Sequence, residues 1–238
     1  MLTLKRFMFF VAILAALPVM LMAQTGSGDS EMTVEQSYLQ ESIELMIIRE
    51  QSRADSRDMK MVALEYIGEA IERGNKSDEI RAALEYLALE GVFNVTRENG
   101  RVLNNFPDVR KLAATRLGQL GTPEAQKALT KMVLTDNEPM VLTEAIRSLG
   151  IIGNNDNDEA TNAIAWTVNR FNVLNPDNFM ALSALDAFER IAVANGGLKD
   201  RTVLETIFKI ADGPNYIRPV QDRAKALLVT LRQLEQNR

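Results

Sequence analysis

The chain has 238 residues, with 27 Lys+Arg, 32 Asp+Glu, no His and no Cys. Lacking His and Cys, it cannot build Ser-His-Asp or Cys-His nucleophile systems, the usual zinc and copper ligand sets, disulfides, or iron sites held by imidazole or thiolate. Apolar residues make 46% and charged residues 25%, an ordinary globular balance, so any chemistry rests on carboxylate, Lys, Tyr and hydroxyl groups.

Residues 1–23 read as an export signal: Lys5 and Arg6 form a positive start, Phe7 to Met22 carries no charge, and Leu21-Met22-Ala23 is a loose small-residue cleavage site. The uncharged stretch is shorter than the ~20 residues a membrane-spanning helix needs, and Pro18 interrupts it. A polar Gly/Ser linker follows over 24–32. The expectation is a periplasmic or secreted protein, with an uncleaved anchor in the inner membrane as the alternative. Removing Lys5 and Arg6 leaves 25 basic against 32 acidic residues. An acidic chain without a basic run excludes nucleic acid and anionic lipid as partners, so membrane contact is expected only if the signal stays uncleaved.

From Thr33 onward the apolar period is 3.6, and the predicted helices are 33–54, 56–73, 78–90, 107–120, 123–135, 138–152, 158–172, 177–194, 200–211 and 216–235. Thr33 with Gln36 makes a capping box, and Thr122-Pro123-Glu124 supplies an N-cap, Pro at the first helical position and an acid in the first turn. Ser77-Asp78-Glu79 and Asn137-Glu138-Pro139 are similar starts. Gly74, Gly91, Gly121, Gly153, Gly196 and Gly213 stand where helices should stop. The one long connection, 91–106, contains Asn99-Gly100 flanked by Val92, Val95 and Val102, which reads as a hairpin turn.

The pattern repeats. Pro107, Val109, Ala113, Leu117, Gly118, Leu120 and Gly121 recur 32 residues later as Pro139, Val141, Ala145, Leu149, Gly150, Ile152 and Gly153. The apolar frame returns as Met59/Ala63/Ile67/Ala70, Met180/Ala184/Phe188/Ile191 and Val220/Ala224/Leu228/Leu231, with a small Ala four residues before a large apolar residue. Between these copies lies a second amphipathic helix, as in Ala125/Leu129/Met132, so the unit is a helix pair.

The run Pro107-Asp108-Val109-Arg110 through Leu117-Gly118-Gln119-Leu120-Gly121-Thr122-Pro123-Glu124-Ala125 resembles a HEAT repeat, most closely the short bacterial type found in phycobilisome-lyase-like proteins. The copy from Pro139 to Gly153 follows it, with Leu142 where the pattern has Arg. The resemblance implies an all-α solenoid of stacked antiparallel helix pairs over 33–238, and it carries no catalytic residue and no cofactor. Single helix pairs cannot bury both apolar faces, so stacking is obligatory and the ends need caps, for which the first and last helices are the candidates.

Asn154-Asn155-Asp156-Asn157-Asp158-Glu159 alternates like a calcium loop, but Glu159 stands where that loop needs Gly and Ala165 where it needs Glu, so an inter-helix turn is expected. Acid pairs such as Glu41/Glu44 and Glu65/Glu69 fall on solvent faces. Met59, Met61, Met132, Met140 and Met180 fit core filling. On the helix 158–172 the core stripe is Ala160, Ile164, Val168 and Phe171, and Trp166, the only tryptophan, lies about 200° from Ile164 among Asn162, Asn169 and Arg170. The equivalent positions on the other second helices are Tyr86, Lys131 and Lys209. In the resembling fold these helices line the concave surface, which makes Tyr86, Lys131, Asn162, Trp166, Asn169, Arg170 and Lys209 the candidate partner-binding residues; the alternative is that the rings are partly buried structure, with 172–177 or the linker folded over Trp166 and Tyr86 under the 91–106 segment. The expected function is an exported, non-enzymatic scaffold for a protein or peptide. The alternative is a small-molecule-handling or lyase-like protein built on the same repeat.

Overall fold

The computed structural model describes residues 33–174, 176–198 and 200–236; the expected signal and linker lie outside them. The chain divides into a short N-terminal unit ending at Glu41 and a main unit, Ser42–Arg238. In the first, Thr33 opens the helix with the expected reciprocal cap: its N–H donates to Gln36 Oε1 (3.0 Å), and the Gln36 N–H donates to Thr33 Oγ1 (3.3 Å).

Ten α-helices are present among the described residues: α1 Val34–Arg53, α2 Arg57–Glu72, α3 Asp78–Ala88, α4 Pro107–Leu120, α5 Pro123–Thr135, α6 Pro139–Ile152, α7 Glu159–Leu174, α8 Asn178–Asn195, α9 Arg201–Asp212 and α10 Arg218–Gln236. The Asn99-Gly100 signal is a hairpin, with β1 Arg97–Glu98 paired antiparallel to β2 Arg101–Val102. Both turn residues have positive φ (47° and 81°), the geometry a two-residue hairpin turn demands.

In the main unit the helices form two layers. α2, α4, α6, α8 and α10 lie side by side in one, and α3, α5, α7 and α9 in the other. The core runs continuously between the layers, and the repeating alanines Ala63, Ala113, Ala145, Ala184 and Ala224 are all fully buried in it. This is an all-α solenoid, with each pair completing the burial of its neighbours. The first-helix layer is drawn together at its glycines. A Cβ on Gly150 would lie 2.7 Å from Ala187 Cα, and one on Gly118 would lie 2.7 Å from Ser148 Oγ.

Five of the six stop glycines have positive φ, as expected. Gly213 does not: its φ is −70°, and glycine is required there because a Cβ would meet the Lys209 carbonyl at 2.5 Å. Thr122 caps α5 through the Ala125 N–H (3.2 Å), whereas Ser77 makes no side-chain cap. Met59 and Met140, expected to face the core, are 49% and 44% exposed, while Met132 and Met180 are buried. The main-unit part of α1 leaves Ile43 and Met46 exposed, unlike a polar cap.

Two buried ion pairs tie the pairs together. Arg110, fully buried, donates from Nε to Asp136 Oδ2 (2.7 Å) and from Nη2 to Asp136 Oδ1 (3.3 Å). Asp136 Oδ1 also accepts the N–H groups of Asn137 (2.8 Å) and Glu138 (2.9 Å), so one carboxylate both pairs the guanidinium and starts the turn into α6. In the preceding repeat Lys60 pairs with Glu90 (2.8 Å), and both are buried. Asn104 holds the hairpin segment together, donating to Asn94 O (2.6 Å) and accepting the Thr96 N–H (2.8 Å), and fastens it to this cluster by donating to Glu90 Oε1 (3.4 Å).

Candidate functional site

α7 presents its core stripe inward as expected: Ala160 and Ile164 are fully buried, Val168 is nearly so, and Phe171 packs against the core. Trp166 therefore emerges on the outer face and is 49% exposed. It stands between two flanks. Thr167 donates from Oγ1 to Val133 O of α5 (2.8 Å), fixing the helix against its predecessor. Asn169 donates from Nδ2 to Thr206 Oγ1 of α9 (2.7 Å) and accepts from Lys209 Nζ (3.3 Å), fixing it against its successor.

The Arg170 guanidinium lies 4.8 Å from the Trp166 ring centroid and donates from Nη2 to Asp136 O (3.0 Å). The indole thus faces a guanidinium that is itself fixed on the backbone carbonyl of Asp136, the residue whose carboxylate pairs with Arg110. A cation over an aromatic face is favourable by ~0.5–1 kcal/mol at exposed sites and restricts the ring. Asn162 reaches Asp200, the N-cap of α9, whose carboxylate also accepts the Thr202 N–H (2.6 Å). Burial pushes the Asp200 carboxyl up, but these donors outweigh it and hold it below the usual carboxylate range.

The structure brings together Asn162, Trp166, Asn169, Arg170 and Lys209 across α7 and α9. It does not bring in the other two candidates. Lys131, on α5, lies with its ammonium 4.0 Å from the Phe93 ring of the hairpin segment. Tyr86, on α3, is half-buried near Arg53 (6.0 Å) and Lys60 (5.6 Å), and lines a separate cleft against α1. The sequence reading missed the roles of Asp136 and Phe93. Asp136 ends the second helix of the strongest repeat, and that position is the only signal that could have singled it out. The close glycine approaches of Gly118 and Gly150 lie in the first-helix layer, and Trp166 lies on the other, second-helix layer.

The Asn154–Glu159 segment is an inter-helix turn containing a 3-10 helix, Asp156–Asp158. Its amides donate to its own carboxylates, Asn154 Nδ2 to Asp156 Oδ2 (2.9 Å) and Asn155 Nδ2 to Asp158 Oδ1 (2.7 Å). Among the described residues no group of three or more Asp or Glu could hold a metal ion, and no helix is long and apolar enough to cross a membrane.

Fold and repeat geometry define a class, an α-solenoid of stacked helix pairs. Comparison with known proteins then supports the family: residues 101–165 match the family model for HEAT repeats. No curated protein matches the chain. Among solved structures, a de novo designed 16-helix transmembrane nanopore is similar at 18% identity over 84% of this chain and 63% of that one, with a TM-score of 0.28. The chain thus spans less than two thirds of that design, and a likeness this low carries no argument.

Proposed function

We propose that this chain is an exported, non-enzymatic HEAT-repeat scaffold that binds a protein or peptide partner through the outer face of α7 and α9. The repeats are of the short bacterial type. The observation that carries the reading is Trp166. It is a large ring, half-exposed, held by Arg170 on a helix braced from both sides, and surrounded by polar groups that do not cover it. Trp and Arg are enriched among the residues that dominate binding energy, and a pre-positioned ring loses little entropy on docking. The partner would dock on the second-helix layer, the face that the repeat resemblance makes concave, with Trp166 at its centre and with Tyr86 and Lys131 outside the α7–α9 cluster. Export rests on the 1–23 segment, with the periplasm or the exterior as destination.

The test is affinity capture from an extract of the exported compartment with the native chain and with Trp166→Ala. One partner held at fixed stoichiometry and weakened about tenfold or more by the substitution is expected. Equal capture by both proteins removes Trp166 from the site, and turnover of a small molecule with no partner overturns the scaffold reading.

A further inference from the structure

Elsewhere in the second-helix layer neighbouring helices touch directly, as Thr167 touches Val133 O and Asn169 touches Thr206. Beside α3, at the start of this layer, lies α1, which meets it through Arg53 over the Tyr86 ring (6.0 Å). Within the main unit the C-terminal half of α1 is held by a few points: Ile48 in the core, the Ser52 carbonyl on Lys60 Nζ (3.2 Å), and the Glu44–Arg73 pair. Between it and α3 lies an open cleft of about 530 Å³. Small side chains, Ala82 and Ala83, and the half-buried Leu45 form its apolar lining.

The polar lining of this cleft sets three cations, Arg49, Arg53 and Arg81, against two acids, Asp78 and Glu79. Arg49 and Arg53 line it and make no ion pair among the described residues. The Tyr86 hydroxyl makes no hydrogen bond there either, and burial, with the Glu90 charge behind it, pushes the phenol up, so it remains a donor at neutral pH. Arg81 is already occupied by Glu85 (2.7 Å) and Asp78 (3.2 Å). Among the described residues Glu79 is the rim acid without an ion pair, Asp78 being paired with Arg81. In a chain whose net charge is −5, Arg49, Arg53 and Arg81 outnumber Asp78 and Glu79 on this cleft, and Arg49 and Arg53 have no carboxylate partner among the described residues, Arg53 standing 6.0 Å over the Tyr86 ring.

We infer that the α1–α3 cleft is a second binding site, which takes an acidic peptide segment of a protein partner, its carboxylates on Arg49, Arg53 and Tyr86 and its small apolar side chains on Ala82 and Ala83. Arginine pairs with carboxylate in two-pronged geometry, and a lone inorganic anion would leave the volume and the apolar lining unused. The site is independent of the Trp166 face, which lies on α7, two helices further along the layer.

The experiment uses the full chain and a fluorescein-labelled peptide built from Glu, Leu and Ala, with a Lys-for-Glu peptide as control, read by fluorescence anisotropy. Saturable binding of the acidic peptide alone is expected, weakening as salt screens the pairs. Arg49→Glu with Arg53→Glu should weaken it about tenfold or more, Glu79→Gln should strengthen it, and Trp166→Ala should leave it unchanged. Arg49 and Arg53 are exposed, so the double variant folds, and circular dichroism confirms that. Competition by free glutamate or phosphate at equal concentration, no saturable binding up to millimolar peptide, binding undiminished in the double variant, or loss of binding in Trp166→Ala would each overturn the site. Only the last outcome touches the Trp166 face, so the two proposals fail separately.

Discussion

Gly68, Gly118 and Gly150 occupy the same place in three repeats, each following the large apolar residue of the frame, and the same substitution should have opposite effects at the two ends of that series. Replacing a mid-helix glycine by alanine gains ~1 kcal/mol of helix propensity wherever there is room. At Gly150 there is none. The new Cβ would lie 2.7 Å from Ala187 Cα and 2.9 Å from Ala187 Cβ, against ~3.5–4.0 Å for a comfortable carbon contact. The first obstacle is backbone, so relief requires α6 and α8 to move apart, and overpacking of this kind costs ~1–3 kcal/mol. Gly150→Ala should therefore be destabilising by up to about 2 kcal/mol net, a fall of up to roughly 8 °C in Tm for a chain of this size. At Gly68 the obstacle is the guanidinium of Arg116, a half-exposed side chain held to Gln119 Oε1 (2.9 Å), which can swing aside. Gly68→Ala should be neutral or stabilising by up to ~1 kcal/mol. The assay is thermal and urea unfolding followed by circular dichroism, extended to a double-mutant cycle with Ala187→Gly, which should recover part of the Gly150→Ala loss. A Gly150→Ala chain as stable as the native one, together with a destabilised Gly68→Ala chain, would refute the idea that glycine contacts set the spacing of the first-helix layer.

Asp136→Ala strips the buried Arg110 of its counter-charge and frees two turn N–H groups; a loss of about 3–5 kcal/mol in urea unfolding is expected, and a loss below ~1 kcal/mol would mean the pair is not buried in solution. Asp200→Ala removes the α9 cap and should cost about 1 kcal/mol at neutral pH. Because the folded carboxyl is held low, the stabilisation is present above its unfolded value near ~3.9 and fades as pH falls through the lower folded value; a difference between native and variant chains that persists unchanged at pH 2 would contradict the capping role. The exported protein should begin at Gln24 by intact mass, and a full-length species extracted only with detergent would establish the anchor instead.

Much of this architecture can be read from the residue pattern because helix–turn–helix repeats are local. The Ala–large-apolar spacing, the Thr122-Pro123 start and the Asn99-Gly100 turn each act within a few residues, and each forms where the pattern places it. Trp166 was legible for the same reason, since one helix's periodicity decides which way it faces. What the pattern leaves unread is lateral. Arg110 finds Asp136 and Lys60 finds Glu90 across helices, and a charged residue on a helix reads as solvent-facing until its partner is known. Tyr86 and Lys131 share a repeat position with Trp166, yet the inserted hairpin places Phe93 against Lys131, and a cleft against α1 opens beside Tyr86. Insertions and ends break the equivalence that repetition predicts. Met59 and Met140 show the related error of reading an apolar residue near a helix start as core.

The central claim is that a partner protein docks on the exposed indole of α7. Its most direct measurement places a photo-reactive phenylalanine analogue at position 166 and irradiates cells producing the full chain. The account predicts one dominant crosslinked protein, absent when the probe is moved to Arg201, an exposed residue at the opposite end of the neighbouring helix from Lys209. A crosslink pattern at 166 no different from that at 201, or no adduct at all, would contradict it.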